Sequence, residues 1–198
     1  RDIRDRILAV QQFNAPKSEV IWTEYAYDPV DQLVRVRDDH GNLTLVTYDL
    51  AGRTRFLANP DAGLTETIYD AASNVTRKIT SNLRASSQAI AYDYDFTRLV
   101  AVHYPQFPGN DVTYQYGSPA LLGQPGNLVG RILKVTAASG SEVRAYAKLG
   151  QLIQETKTVA SHTQGNSDNS PEVWTTHYLY DPWGRLQQMT YPDSEVLT

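Results

Sequence analysis

Residues 48–70 read YDLAGRTRFLANPDAGLTETIYD, and this stretch decides the fold. It holds two turn signals, YDLAG at 48–52 and NPDAG at 59–63, with strand-length segments after each of them. In such turns Pro presets φ, Asp or Asn bonds its own backbone, and Gly adopts a positive φ without a Cβ clash. The segments between the turns are rich in β-branched and aromatic residues and partly alternate, which predicts one β-hairpin.

Similar pairs of turns recur along the chain. Tyr27, Tyr48 and Tyr69 each start a Tyr-Asp-x-x-Gly signature or a variant of it, at equal spacing. We assign to this structural repeat signature Tyr27, Asp28, Tyr48, Asp49, Gly52, Tyr69, Asp70, Tyr94, Asp95, Tyr146, Gly150, Tyr180, Asp181 and Gly184. A second turn signal follows about halfway through each unit, at 39–42, 59–63, 108–111, 139–141 and 192–194. The sequence therefore predicts an all-β chain of tandem antiparallel β-hairpin repeats.

Each letter of the signature has a physical role in this interpretation. The Tyr ends a strand, the Asp carboxylate accepts backbone N–H groups in the turn, and the Gly supplies the positive φ before the next strand. Stacked hairpins would place the Tyr rings beside one another, and each cross-strand aromatic pair contributes about 0.2–1 kcal/mol. The copies at 48–52 and 180–184 keep all three residues, and Asp replaces Gly in the copies that begin near residues 1 and 27.

Two departures from regular spacing predict insertions. We expect a single repeat array over 1–198 with loop insertions at 117–127 and 158–173. Residues 141–157 also fit an amphipathic helix with a possible N-cap at Ser141. The strand interpretation is favoured, because Gly150 would lie inside that helix at a cost of about 1 kcal/mol.

Composition excludes several classes of protein. The net charge of -4 and a pI near 5.5 argue against a nucleic-acid surface, which needs clustered Lys and Arg. No apolar run reaches the roughly 18–20 residues that span a bilayer. The absence of Cys rules out disulfides and thiolate ligands. Because the chain starts at Arg1 rather than Met, we expect it to be a piece of a longer polypeptide.

No constellation of residues predicts catalysis. The four histidines, His40, His103, His162 and His177, match no zinc motif, and we expect solvated surface roles for them. Asp38, Asp39, Asp93 and Asp95 belong to turns or repeat starts rather than to a calcium or acid–base site. We therefore expect no cofactor, no metal and no enzymatic activity.

The units at 48–70 and 180–196 resemble the YD repeats of the rearrangement-hotspot (Rhs) family in spacing, in both turns and in the Gly-Arg after the first turn. The likeness extends over nearly the whole chain. Members of that family include bacterial polymorphic toxins, shell-forming subunits of insecticidal toxin complexes and teneurins. The resemblance implies a curled sheet or a section of an Rhs-type β-shell, in which hairpins of one long chain enclose a toxin polypeptide.

Two functions follow as expectations. The first is a structural wall segment of such a shell in a secreted or cell-surface bacterial protein. Its partners would be the neighbouring repeats of the same chain and an enclosed toxin polypeptide, and we expect neither nucleic-acid binding nor a membrane span. The alternative is an adhesin-like repeat module that binds a partner or a carbohydrate. Trp22, Trp174 and Trp183 are the aromatic candidates for stacking on a sugar, although packing is the commoner role of such residues.

Overall fold

The structure is a computed structural model that describes residues 1–14, 19–118, 128–160 and 171–198. Most of the two predicted insertions, residues 119–127 and 161–170, lies outside the described residues. At the edges of the second one, Thr158 and Val159 already belong to one strand, and Glu172 and Val173 to the next. The single-array organisation stays a prediction.

The described residues are almost entirely in strands and turns. The strands are β1 Ala9–Asn14, β2 Glu19–Tyr27, β3 Leu33–Arg37, β4 Leu43–Tyr48, β5 Thr54–Asn59, β6 Gly63–Tyr69, β7 Val75–Ile79, β8 Ile90–Asp95, β9 Arg98–His103, β10 Val112–Tyr116, β11 Ile132–Ala137, β12 Gly140–Tyr146, β13 Leu152–Val159, β14 Glu172–Tyr180, β15 Leu186–Thr190 and β16 Val196–Leu197. A short helix, α1 Ser81–Ala85, and a 3-10 turn, Pro108–Asn110, complete the elements.

Each strand pairs with the strands next to it in the chain, and the order in the sheet runs from β1 to β16 without a crossover. The pairs with resolved register are antiparallel, as in β4 with β5, where Leu45 lies opposite Ala58. The predicted all-β class of tandem antiparallel hairpins is confirmed. Residues 141–157 form parts of β12 and β13 around Gly150, so the strand interpretation holds there and the helix does not form.

The chain divides into two compact units, Arg1–Ala91 and Tyr92–Thr198. In the first unit the hairpins follow the regular spacing, with α1 inserted between β7 and β8. In the second unit the connections vary from two residues, between β8 and β9 and between β11 and β12, to longer ones, and the connection between β9 and β10 contains the 3-10 turn.

Side chains alternate between a half-buried and an exposed face. In β4, Thr44, Val46 and Tyr48 are half-buried, whereas Leu43 and Leu45 are each more than two-fifths exposed. Among the described residues, the buried apolar side chains are Ala101, Val102, Leu128 and Tyr146. The sheet thus keeps much apolar surface in contact with solvent, as expected for strands that pack mainly on their neighbours within one layer.

The buried carboxylate of Glu66 holds helix α1, which the sequence did not predict, in place. Glu66 in β6 is 9% exposed and accepts from Arg55 at 3.1 Å and from Arg84 at 3.0 Å. Arg84 belongs to α1, so this double ion pair holds the helix against β6. A buried carboxylate is tolerated because both of its oxygens are paired.

Candidate functional site: signature turns and tyrosine sockets

Five of the six assigned signature tyrosines, together with Tyr116, lie where the strand ladder shifts register. Among the described residues, a β-bulge occurs at six strand ends, each time at a tyrosine: Tyr27, Tyr48, Tyr69, Tyr116, Tyr146 and Tyr180. Across the regular turns the Tyr lies opposite the residue six positions later, as Tyr48 does with Thr54. A bulge bends the strand and strengthens its twist. Each hairpin therefore turns at a fixed point relative to its tyrosine.

The Asp that follows the tyrosine organises the turn. Asp49 Oδ1 accepts from the backbone N–H of Ala51 at 2.9 Å and of Arg53 at 3.0 Å, and Oδ2 accepts from Arg53 Nε at 2.7 Å. The backbone closes the loop with Asp49 N–H on Arg53 O at 2.9 Å and Gly52 N–H on Asp49 O at 3.0 Å. One carboxylate thereby satisfies three donors of a tight turn.

Other turns repeat this arrangement with different donors. Asp181 accepts from the Trp183 and Arg185 backbones at 2.9 Å each, and from Arg185 Nε at 2.7 Å. Asp70 and Asp38 use an Asn side chain instead of Arg, from Asn74 at 2.8 Å and Asn42 at 2.7 Å. Asp38 lies at the turn about halfway through a unit, so carboxylates bind backbone N–H groups in the same way at both kinds of turn.

These contacts favour the ionised carboxylates. The pKa of Asp49 is lowered mainly by the hydrogen bond from the Arg53 side chain, and that of Asp70 mainly by the amide of Asn74. For Asp181 the backbone N–H of Arg185 is the largest cause of a lowered pKa. The turns are accordingly held by charged groups at neutral pH.

The fifth signature position has a positive φ whatever residue occupies it. Gly52, Gly150 and Gly184 have φ of 78°, 89° and 79°. Asp31 and Ser73, which replace the Gly, adopt 69° and 68° all the same. The backbone of the turn is thus set by the motif as a whole, and the non-Gly residues carry strain of about 1–2 kcal/mol.

Each of five tyrosines reaches back to the preceding hairpin. Tyr48 OH donates to Leu33 O at 2.8 Å, and Leu33 is the residue opposite Tyr27, the previous signature tyrosine. The equivalent bonds are Tyr27 to Ile7, Tyr69 to Thr54, Tyr116 to Leu99 and Tyr146 to Ile132, at 2.9–3.1 Å. We call the accepting carbonyl, together with the side chain of the residue before it, a tyrosine socket.

An arginine forms the second wall of most sockets. Arg53, just before Thr54, places its guanidinium 4.6 Å from the ring centre of Tyr69, a cation–π distance. Arg6 over Tyr27, Arg98 over Tyr116 and Arg131 over Tyr146 lie at 5.0–5.5 Å. In the socket of Tyr48 this position is Gln32.

The same arginine also contacts the next signature turn. Arg53 donates to Asp70 O and to Ser73 Oγ, both at 3.0 Å, while holding its own Asp49. Arg6 contacts Asp28 O at 3.1 Å and Asp31 at 2.7 Å in the same manner. In these two places, successive signature turns are therefore linked by an Asp–Arg–turn chain in addition to the strand ladder.

The signature that begins at Tyr116 is split by the predicted insertion, and its second half at Gly130 and Arg131 was not recognised in the sequence. Gly117 N–H donates to Arg131 O at 2.9 Å and Gly130 N–H to Gly117 O at 3.0 Å, the bonds that Asp49, Gly52 and Arg53 make elsewhere. Gly130 has φ 73°. The Gly-Arg pair after the insertion was the available signal, because Gly-Arg also follows the turns at 52 and 184.

The predicted copy at Tyr94 and Asp95 differs from the others. Both residues lie in β8, and Asp95 pairs with Arg98 across a two-residue turn in which Phe96 has φ 56°. The structure does not bring them into the arrangement seen at Tyr48 or Tyr69. Tyr180 does occupy the bulge position, opposite Leu186.

The remaining candidates lie apart from the signature turns. His40 and His177 are exposed, and His162 is outside the described residues. His103 has a side chain that is 44% exposed and that lies between two carboxylates. Trp22, Trp174 and Trp183 are 47%, 48% and 79% exposed. Within the described ranges, no group of three or more His, Cys, Asp or Glu could hold a metal ion.

None of the helices in the described part of the chain is long and apolar enough to cross a bilayer.

Fold and site together define a class: an array of antiparallel hairpins coupled by signature turns. No protein-family model and no curated protein matches the sequence. Solved structures of Rhs-repeat-containing toxin-complex proteins do match the fold. The crystal structure of TcdB2-TccC3 without its hypervariable C-terminal region superposes with a TM-score of 0.70 at 18% identity, covering 98% of this chain and 10% of that chain. The Tc holotoxin pore of Photorhabdus luminescens, with a TccC3 variant, superposes with a TM-score of 0.60 at 21% identity, covering 89% and 9%.

The chain thus spans about a tenth of the length of the solved chains that it matches. The predicted resemblance to the Rhs/YD-repeat family is confirmed for the fold.

Proposed function

We propose that this chain is a wall segment of an Rhs-type hollow β-shell that encloses a toxin or effector polypeptide. The observation that carries the proposal is the tyrosine socket, because at five tyrosines it couples a hairpin to the one before it. Because the same contact can be repeated between any two successive hairpins, it is suited to a long continuous wall. The fold likeness to toxin-complex proteins supports the same assignment.

The exposure of the sheet also supports a wall. Leu43, Leu45 and Trp22 are each 43–47% exposed and lie on strands of the first unit. These side chains share one face, because Trp22 is two residues from Glu24, Glu24 lies opposite Arg37, and Arg37 lies opposite Leu43. A sheet whose exposed face lines a cavity or a cargo needs no second layer of its own. The end strands of the described sheet, β1 and β16, each have a neighbour on one side only, and pairing with further repeats of a wall would cover these free edges.

The last signature turn offers a further socket. Arg185 and Leu186 repeat the positions of Arg53 and Thr54, and the Arg185 side chain is 75% exposed. We propose that the tyrosine of a further repeat occupies this place, with the array extending as part of a longer secreted or cell-surface protein. No catalytic role is assigned to the segment.

Limited proteolysis of the full-length protein tests enclosure. The expected result is that an enclosed polypeptide resists protease until the wall is weakened by the double substitution Tyr48→Phe and Tyr69→Phe. A polypeptide digested equally fast with either wall would contradict the proposal. Tyr25→Phe is the control, because the Tyr25 hydroxyl makes no hydrogen bond within the described part of the chain.

A second function rests on the exposed tryptophans. An adhesin-like module would use Trp22 or Trp174 to stack on a sugar or a partner. Screening the chain on a glycan array discriminates the two functions. Reproducible binding that Trp22→Ala or Trp174→Ala abolishes would favour the module, and absence of binding would favour the wall.

A further inference from the structure

One histidine joins the three consecutive strands β8, β9 and β10. His103 ends β9, and its Nδ1 lies 2.7 Å from Asp111 Oδ2 while its Nε2 lies 3.0 Å from Asp93 Oδ2. Asp93 belongs to β8, and Asp111 directly precedes β10, whose Val112 pairs with Val102. Both ring nitrogens therefore face carboxylates from the two flanking strands.

This geometry discriminates between the protonation states of the ring. A neutral imidazole donates from one nitrogen only, so the other would direct its lone pair at a carboxylate. The imidazolium donates from both nitrogens and makes two charge-assisted hydrogen bonds. Asp111 cannot easily turn away, because its Oδ1 accepts from the backbone N–H of Tyr104 at 2.8 Å.

The other ionisable groups nearby add no competing charge. Tyr104 follows His103 in the chain, and burial, with smaller effects of Tyr104 and Tyr94, raises the pKa of Tyr92 and keeps its phenol neutral. Asp95 is already paired with Arg98 at the opposite end of the β8–β9 hairpin. The two carboxylates thus face one titratable cation. Because they lie on opposite sides of the ring, they do not converge into a metal site.

We propose that His103, Asp93 and Asp111 form a pH-responsive clasp that fastens β8, β9 and β10 while the imidazole is protonated and loosens them when it is not. Such a clasp goes beyond a wall function, since it gives one place in the array a defined response to alkaline conditions.

The direction of the response follows from the linkage. The hydrogen bond to Asp111, then that to Asp93, raises the pKa of His103 above its ordinary value of 6.5. A raised folded-state pKa means that the clasp contributes fully below pH 6.5 and that its contribution is lost as the pH rises through the folded value. The pKa of Asp111 is lowered, first by the Tyr104 N–H and then by His103, so acid releases the clasp from the other side.

Nitrogen-15 NMR of the histidine rings in the intact chain tests the clasp. The expected result is a His103 ring with both nitrogens protonated at pH 6.5 and a titration midpoint above that pH, which moves down in Asp93→Asn. A ring with a single N–H at pH 6.5, or a midpoint that Asp93→Asn leaves in place, would overturn the proposal. Asp93 is the better variant, because Asp111 also holds the Tyr104 backbone.

Hydrogen exchange of the backbone amides measures whether the strands loosen. After correction for intrinsic rates, the β9 amides should exchange severalfold faster above the His103 midpoint than below it, and His103→Gln should remove that difference. His177→Gln, at an exposed site in β14, should leave the difference intact. Equal protection of β9 on both sides of the midpoint in the unmodified chain would contradict the clasp, even if His103→Gln failed to fold.

Discussion

The hydroxyl of Tyr48 donates to the backbone carbonyl of Leu33 at 2.8 Å, across 15 positions of the chain. Tyr48 ends the first strand of its own hairpin, and Leu33 begins the second strand of the preceding one. This bond therefore connects repeats rather than strands within a repeat. It recurs at four other tyrosines, which makes it the feature that turns separate hairpins into an array.

Removing one such hydroxyl should weaken the array at that point. Tyr48→Phe keeps the ring and loses one hydrogen bond, so we expect the free energy of unfolding to fall by about 1 kcal/mol. Urea unfolding followed by circular dichroism measures the change. Tyr25→Phe, at another half-buried tyrosine of the same unit, should change stability much less, and equal losses in both variants would argue against the socket.

A side chain at the fifth signature position should lower the stability of the chain. Gly52 has φ 78°, and we expect Gly52→Ala to destabilise the chain by about 1–2 kcal/mol, because L-residues are strained in the left-handed region. Gly109→Ala is the matched control, since Gly109 is not in that region and a Cβ there would meet nothing within 4 Å. Thermal unfolding that ranks the two variants the other way would contradict this assignment.

Acid should loosen the signature turns. The pKa values of Asp49, Asp70 and Asp181 are lowered in the folded state from 3.8, so their contributions are present above that pH. They are lost as the pH falls through the lower folded-state values. We expect the urea midpoint to drop steeply below about pH 4.

Asp49→Asn tests which group is responsible. The variant should be less stable at neutral pH and should lose part of the acid dependence, because Asn carries no charge to form an ion pair with the Arg53 guanidinium. Asp61→Asn, at the exposed tip of the turn at 59–63, should retain the full acid dependence. A variant Asp49→Asn with an unchanged pH profile would show that the turn charge does not contribute.

The ion pairs of Glu66 should anchor α1. Glu66→Gln removes the charge that binds Arg55 and Arg84, and we expect a loss of about 2 kcal/mol, the scale of hydrogen bonds to charged groups. Proteolysis within 80–90 should also become faster, because the helix is held to β6 by Arg84. Glu195→Gln, an exposed carboxylate in the second unit, is the control and should leave both readouts unchanged.

Strands and turns were predictable because their signals are local. The bounds of β3 and β4 follow from Gly, Asn and Asp in the turns and from the β-branched residues between them. Asp31 at the place of Gly52 was also recognisable from spacing alone. The two-fold alternation and the turn chemistry act within a few residues, so one sequence suffices to recognise them.

The tyrosine sockets were not predictable in this way. The bond from Tyr48 to Leu33 depends on how one hairpin is placed beside the last, which local patterns do not encode. The same limit explains α1, whose anchor Glu66 lies 18 residues before Arg84. At Tyr94 the residues Tyr-Asp match the signature, but they lie within β8. Two matching residues alone do not determine where a hairpin turns.

The most direct test of the wall assignment is cryo-electron microscopy of the full-length protein that carries this segment. We expect β1 to β16 to lie in one continuous antiparallel sheet around a cavity, with a tyrosine of a further repeat donating to Leu186 O and stacked on Arg185. A map in which these strands fold into a filled two-layer domain outside any cavity, with Arg185 and Leu186 facing solvent, would contradict it.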